Sequence, residues 1–114
     1  LTVARKGNDY VTQLDDSERV CGHKPSVDVM FDSLASSMDK MVIAILLTGM
    51  GKDGGLGMQK IHQQGGFTIA QNEASCVVFG MPKEAIRLEA VDLILDLDDM
   101  LKPIFSQVET LSCL

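Results

Sequence analysis

Residues 41–55, MVIAILLTGMGKDGG, join an unbroken apolar run to a glycine-rich turn. The run from Met41 to Leu47 contains β-branched residues and no polar ones, which is typical of a central strand covered on both faces. The turn that follows has the spacing G-x-G-x-x-G through Gly49, Gly51 and Gly54. Ligands bind at such strand-to-helix turns in open α/β sheets, so this stretch predicts both a fold class and the location of a site.

The rest of the chain alternates between strand-like and helix-like patterns. Gly65 and Gly66 supply a helix stop, Pro82 a helix start, and Pro103 requires that the last helix either start late or be kinked. The alternation predicts an α/β fold of three layers, helix–sheet–helix (αβα), with a mostly parallel Rossmann-like sheet and a short N-terminal β-hairpin. The predicted elements are a hairpin with strands at 1–5 and 10–14, strands at 41–47, 67–70 and 91–95, and helices at 26–38, 56–64, 82–88 and from 97 onward.

The composition excludes several classes of protein. The 114 residues, 46% of them hydrophobic, are enough for one globular domain with its own core. A net charge of -6 without any Lys/Arg cluster argues against nucleic acid and anionic membranes as partners. No apolar run is long enough for membrane insertion. The widely spaced Cys21, Cys76 and Cys113 indicate reduced thiols in a cytoplasmic protein rather than a metal site.

Two functional interpretations of the glycine turn compete. The three glycines, followed by Glu73 nineteen residues after Gly54, match a dinucleotide-binding fingerprint in which Glu73 would bind the ribose. Asp53 argues against it, because its carboxylate would repel a pyrophosphate at the same turn. An ionised aspartate at a strand end can instead orient a catalytic histidine, and a third alternative is that Asp53 is only a helix cap.

The other residues that carry chemistry give weaker signals. His62 lies at the border of a helix's apolar stripe and is expected at the surface, whereas His23 precedes a helix start and is a candidate site-lining residue. No serine lies in a G-x-S-x-G turn, so no nucleophile is evident. Cys76 adjoins Val77 and Val78 in an apolar run, which favours a buried, inert thiol.

Three segments resemble one enzyme family. LLTGMGKDGGLGM, preceded by HKPSVDVMF and followed by FTIAQNEASCVVFGMPKEAI, is similar to the C-terminal part of the catalytic domain of CheB-type chemotaxis protein-glutamate methylesterases. The resemblance covers about residues 1 to 100. It implies hydrolysis of glutamate methyl esters, and deamidation of glutamines, on chemoreceptors by a Ser-His-Asp triad without any cofactor or metal.

The resemblance also assigns roles to the turn. It implies that Asp53 is the acid of the triad and that the Met50 backbone amide contributes to the oxyanion hole, with the glycines shaping the turn. The family's serine and histidine motifs do not occur in these 114 residues. His23 lies in a different segment from the triad histidine. Because the chain starts at Leu1 within a predicted strand, we expect a fragment, and because it lacks the serine and histidine motifs, we expect it to be inactive alone.

The resemblance implies partners as well. They are the cytoplasmic domains of methylated chemoreceptors and, through a receiver domain that these residues do not include, a histidine kinase. Loss of neighbouring strands would expose a sheet edge and apolar surface, so a homodimer of the fragment or a rearrangement of its strands is also expected.

Overall fold

The computed structural model describes residues 1–13, 26–37 and 42–112. It confirms the predicted α/β architecture with an N-terminal hairpin and a parallel sheet. In chain order the elements are β1 (Thr2–Lys6), β2 (Asp9–Gln13), α1 (Val27–Ser37), β3 (Ile43–Leu46), α2 (Gly55–Gln63), β4 (Phe67–Gln71), α3 (Met81–Arg87), β5 (Leu93–Leu95), a 3₁₀ helix (Leu97–Asp99) and α4 (Leu101–Ser112).

The sheet that carries the site has the order β3-β4-β5, with all neighbours parallel. Ile45 lies opposite Ile69, and Ile69 lies opposite Leu93. Both crossovers connect adjacent parallel strands. Because β-α-β crossovers are right-handed, α2 and α3 lie on the same face of the sheet. The carboxyl ends of β3 and β4 therefore meet at one edge, where the glycine turn emerges.

The core lies between this sheet and its helices. Met58 and Ile61 of α2 and Ala85 of α3 have no exposed surface. Burying a side chain the size of Met58 or Ile61 contributes roughly 1.5–3 kcal/mol. Phe31 and Ala35 of α1 extend the same cluster, which ties α1 to α2.

The hairpin packs against α1 rather than against the parallel sheet. Its turn is the pair Gly7 and Asn8, and Gly7 has the positive φ of 64° that such turns require. The Val3 amide donates to the Ser33 hydroxyl of α1 at 2.7 Å. The hairpin and α1 are thus joined by a specific hydrogen bond as well as by packing.

Element ends lie within four residues of the sequence predictions. Gly65, with φ 90°, ends α2 as predicted. The strand expected over 41–47 is described only at Ile43–Leu46, and Met41 is outside the described residues. The last helix starts late, at Leu101, which leaves Pro103 in the first turn where its missing N–H breaks no helical bond.

One apolar face of α4 is exposed. The sequence places Leu101, Phe105 and Val108 on the same side of this helix, and they are 65%, 60% and 45% exposed. Met100, just before the helix, is buried at 4%. The amphipathic period predicted for the tail is therefore present, but the described residues do not cover its apolar stripe.

Candidate active site

The glycine turn lies between the carboxyl end of β3 and the amino end of α2, as the sequence predicts. Gly51 and Gly54 have φ angles of 94° and 100°, values that strain any other residue. A Cβ on Gly54 would also lie 2.9 Å from a methyl carbon of Leu46. The glycines at these two positions are required by the shape of the turn.

The Asp53 side chain is buried at the amino end of α1, with 4% of the residue exposed. Its Oδ1 accepts hydrogen bonds from the Ser26 hydroxyl at 2.8 Å and from the Asp28 amide at 2.9 Å. Its Oδ2 accepts from the Val27 amide at 2.7 Å. Three donors and the positive end of the α1 dipole stabilise the carboxylate form. The carboxylate is held in one orientation.

Asp53 does act as a helix cap, but the helix is α1 rather than the α2 that follows it. Ser26 is the N-cap residue of α1, since its carbonyl accepts from the Met30 amide at 3.2 Å. The Ser26 hydroxyl also accepts from the Val29 amide at 3.4 Å. Asp53 and Ser26 together satisfy the first three amides of α1, which would otherwise lack partners.

The amino end of α2 is capped by a carboxylate from α1, that of Asp28. Oδ1 of Asp28 accepts the Gly57 amide at 2.8 Å, and Asp28 is 8% exposed. A dinucleotide pyrophosphate would need the amides at this helix end. Because a buried acidic side chain already occupies one of them, the geometry opposes the dinucleotide alternative. Sequence reasoning missed Asp28, although the pattern S-V-D after a proline is a typical helix start.

Met50 lies at the exposed tip of the turn. Its residue surface is 79% exposed, and within residues 1–13, 26–37 and 42–112 its amide donates to no acceptor. The two preceding residues are fixed: the Thr48 amide donates to Gln71 at 2.7 Å and the Gly49 amide to the Val78 carbonyl at 3.0 Å. A backbone N–H that has no acceptor of its own and lies next to a fixed segment of backbone is the arrangement that stabilises an oxyanion.

A second turn segment, 77–81, packs directly against the glycine turn. Gly49 forms an isolated parallel bridge with Phe79, and the Gly49 carbonyl accepts from the amides of Gly80 at 3.0 Å and Met81 at 2.9 Å. A Cβ on Gly80 would lie 2.8 Å from that carbonyl oxygen. Only glycine allows this close approach between the two backbones.

The remaining predicted residues lie apart from this group. His23 is outside the described residues. Glu73 is exposed in a turn that begins after β4 ends at Gln71, and no described contact joins it to the glycine turn. His62 is at the surface as expected, with its Nδ1 3.5 Å from Asp92. This pair is near the amino ends of β4 and β5, the opposite edge of the sheet from Asp53.

The prediction that Cys76 is buried in an apolar run is wrong. Cys76 is only partly buried, and its neighbours Val77 and Val78 are 90% and 43% exposed. The run forms the exposed segment that pairs with Thr48 and Gly49, so its apolar character does not reflect core packing. The Cys76 thiol donates weakly to the Gln71 carbonyl at 3.9 Å.

The described residues contain no group of three or more histidine, cysteine, aspartate or glutamate side chains that could hold a metal ion. Among the helices of those same segments, none is long and apolar enough to cross a membrane.

Comparison with known proteins agrees with the resemblance seen in the motifs. Residues 1–104 match the family model of the CheB methylesterase domain. The chain is 57% identical over 100 residues to a protein-glutamate methylesterase/protein-glutamine glutaminase of Methylobacillus flagellatus, covering 88% of this chain and 28% of the relative. A protein of the same name from Nitrosomonas europaea is 49% identical over 108 residues, covering 95% of this chain and 30% of that relative.

A solved structure supports the same assignment. The catalytic domain of the Thermotoga maritima CheB methylesterase superposes with a TM-score of 0.78 at 37% identity, over 83% of this chain and 50% of that domain. This match confirms the predicted αβα fold. The chain thus spans somewhat under a third of the length of its curated relatives. On the family model, the sequence identities and the shared fold, the chain belongs to the CheB methylesterase family.

Proposed function

We propose that these 114 residues form the C-terminal part of the catalytic domain of a chemotaxis protein-glutamate methylesterase, which also deamidates glutamine. The observation that carries the proposal is the buried Asp53 carboxylate, held by three donors and belonging to the same glycine turn as the exposed residue Met50. These are two of the groups that a serine hydrolase needs. The other two, a nucleophilic serine and a histidine, would come from a segment outside the 114 residues.

In this mechanism the serine oxygen attacks the ester carbonyl of a methylated glutamate, and the histidine takes the serine proton. The histidine then returns the proton to the departing methanol, and water hydrolyses the acyl-enzyme to glutamate. Asp53 would orient the histidine and stabilise its charged form, and the Met50 amide would donate to the oxygen that becomes negative. A glutamine substrate would release ammonia in place of methanol.

A chimera tests this assignment directly. In it, this chain replaces the segment that it matches in the Methylobacillus flagellatus relative, and methanol release from a methylated receptor is measured. Asp53→Asn should lower turnover by about ten-thousandfold, because an amide cannot stabilise the charged histidine. Asp32→Asn, an exposed acid of α1, is the matched control and should leave turnover unchanged.

Two outcomes would contradict the proposal. The first is a chimera that folds but releases no methanol, or whose turnover survives Asp53→Asn. The second concerns the 114-residue chain alone, for which we propose no activity. Methanol release by the isolated chain that depends on Asp53 would show that it holds a complete site.

The proposed partners follow from the family. They are methylated cytoplasmic domains of chemoreceptors and, through a receiver domain outside these residues, a histidine kinase, all in the cytoplasm. Receptor cytoplasmic helices carrying methylated glutamates should retain the chimera in a pull-down assay. Equal retention by helices whose methylated positions are replaced by alanine would argue against recognition of the ester.

We also propose that the isolated chain self-associates through α4. The exposed apolar face formed by Leu101, Phe105 and Val108 supports this, since an isolated apolar stripe gains stability when it is covered. Light scattering should give a mass above that of one chain, and Phe105→Ser should shift it toward 12.4 kDa. A monomer at all concentrations would exclude association.

A further inference from the structure

We propose that Gln71 is a positioning residue for the oxyanion donor: its side chain fixes the backbone at Thr48, two residues before Met50. The expected effect on catalysis rests on the proposed function, whereas the geometry rests on the structure alone. Gln71 is the last residue of β4, and at 2% exposure it is one of the few buried polar side chains near the site.

Both ends of the Gln71 amide are used. Its Oε1 accepts the Thr48 amide at 2.7 Å, two residues before Met50. Its Nε2 donates to the Ser75 carbonyl at 2.8 Å and lies 3.2 Å from the Ser75 hydroxyl. One buried side chain therefore joins the glycine turn to the turn that follows β4.

The hydrogen bonds close into a ring around the base of the glycine turn. The Ser75 hydroxyl and amide both donate to the Asn72 side chain, at 2.7 and 3.0 Å, which shapes the turn after β4. That turn leads to Val78, whose amide donates to the Thr48 hydroxyl at 2.9 Å. The Thr48 hydroxyl donates in turn to the Val78 carbonyl at 3.0 Å.

Thr48 is thus held from two sides, by Gln71 through its amide and by Val78 through its hydroxyl. The Val78 contacts are exposed, whereas the Gln71 contact is partly buried and comes from a buried side chain on the central strand of the sheet. A hydrogen bond that is shielded from water and comes from a rigid element restrains position more than an exposed one does. Gln71 therefore links Thr48, two residues before Met50, to the core.

The test compares two substitutions of Gln71. Gln71→Met has similar volume but removes both hydrogen bonds. Gln71→Glu keeps an oxygen that can accept the Thr48 amide and loses the amide donor to Ser75, while it places an acid in a buried position. In the chimera we expect Gln71→Met to lower kcat by roughly ten- to a hundredfold with KM changed less than about twofold, the effect of a misplaced donor.

The two variants separate positioning from stability. Gln71→Glu should be at least as destabilised in urea as Gln71→Met, yet it should retain the higher kcat because the contact to Thr48 survives. Thr68→Val is the matched control: Thr68 is fully buried on the same strand and bonds to Asp92 at the opposite edge of the sheet. It should lose stability and keep kcat. If kcat followed stability across the three variants, Gln71 would have no positioning role.

A second measurement does not depend on activity. In the 114-residue chain, amide NMR signals and hydrogen exchange of Gly49 and Met50 should change in Gln71→Met and stay unchanged in Thr68→Val. Unchanged signals in Gln71→Met would overturn the proposal even if the chimera is active. A chimera without methanol release would instead count against the proposed function and leave the NMR result to decide the role of Gln71.

Discussion

Asp28 and Asp53 exchange their capping contacts: Asp53, in the turn before α2, caps α1, and Asp28, in the first turn of α1, caps α2. The Asp53 carboxylate accepts the Asp28 amide at 2.9 Å in the first turn of α1. The Asp28 carboxylate accepts the Gly57 amide at 2.8 Å in the first turn of α2. Two buried acids are tolerated side by side because each lies at the positive end of a helix dipole and accepts backbone hydrogen bonds.

The hydrogen bond from the Gly57 amide to Asp28 predicts that Asp28 stabilises the fold. Asp28→Ala leaves the buried Gly57 amide without its acceptor, so the free energy of unfolding should fall by about 1–2 kcal/mol. Asp28→Asn keeps an oxygen acceptor and should lose less. Asp32→Ala on the same helix removes an exposed ion pair with Lys60 and should change stability by less than about 1 kcal/mol. Urea unfolding of the three variants measures this, and equal losses would contradict it.

Gly80→Ala should damage the site through a direct backbone collision. Gly80 has φ -95°, which alanine adopts without strain, but the added Cβ would lie 2.8 Å from the Gly49 oxygen and 2.9 Å from the Gly51 nitrogen. The glycine turn must shift, and turnover of the chimera should fall by about a hundredfold.

Gly65→Ala is the control for that substitution. Gly65 has φ 90° with nothing near its added Cβ, so alanine should lower stability by about 1–2 kcal/mol and leave turnover intact. Kinetics and urea unfolding of both variants separate the two effects. Full activity in Gly80→Ala would show that the turn tolerates displacement.

Glu89→Gly should stabilise the chain. Glu89 follows the last turn of α3 with φ 55°, and it is the one non-glycine residue of the described segments with positive φ. Glycine adopts this conformation without a Cβ penalty, which is worth about 1 kcal/mol. Lys83→Gly, within α3, should instead destabilise by about 1 kcal/mol. Thermal unfolding measures both shifts, and a lower midpoint for Glu89→Gly would contradict the expectation.

Stability should depend on acid pH through Glu84. The hydrogen bonds from the Arg87 guanidinium, at 3.0 Å from its Nε, hold the pKa of Glu84 below its ordinary value of 4.5. Because the folded-state pKa is lowered, the stabilisation is present above the unfolded pKa and is lost as pH falls through the folded pKa. The stability advantage of wild type over Arg87→Gln should therefore be constant near neutrality and shrink below about pH 4.5. Urea unfolding across pH tests the sign.

Much of this fold follows from local sequence signals. The apolar run before Thr48 predicts the strand, Gly65 predicts the end of α2, and Pro103 restricts where α4 can begin. These signals work because each reflects the conformational preference of one residue or a simple period. Element ends are less well predicted, since they depend on tertiary hydrogen bonds such as those to Ser26.

The site was predictable in part. The glycine spacing indicates the turn and the family resemblance singles out Asp53, but neither indicates that α1 supplies the donors. Two of the three donors are backbone amides, which have no residue-specific signature. Gln71 and Asp28 were missed for a similar reason: a buried polar residue is recognised by its partners, and Thr48 and Gly57 are 23 and 29 residues away from them in sequence.

The way α1 holds Asp53 affects which mutations the site can tolerate. Val27 donates to Asp53 through its backbone, so almost any side chain could replace it without loss of that bond. Proline is the exception. Proline is usually favourable at the first position of a helix because its missing N–H is not needed there. Here it would remove the 2.7 Å hydrogen bond from the residue 27 amide to the Asp53 carboxylate. Packing of the Val27 side chain against the core still favours an apolar residue here, and proline is the one apolar choice that would leave the carboxylate without this donor.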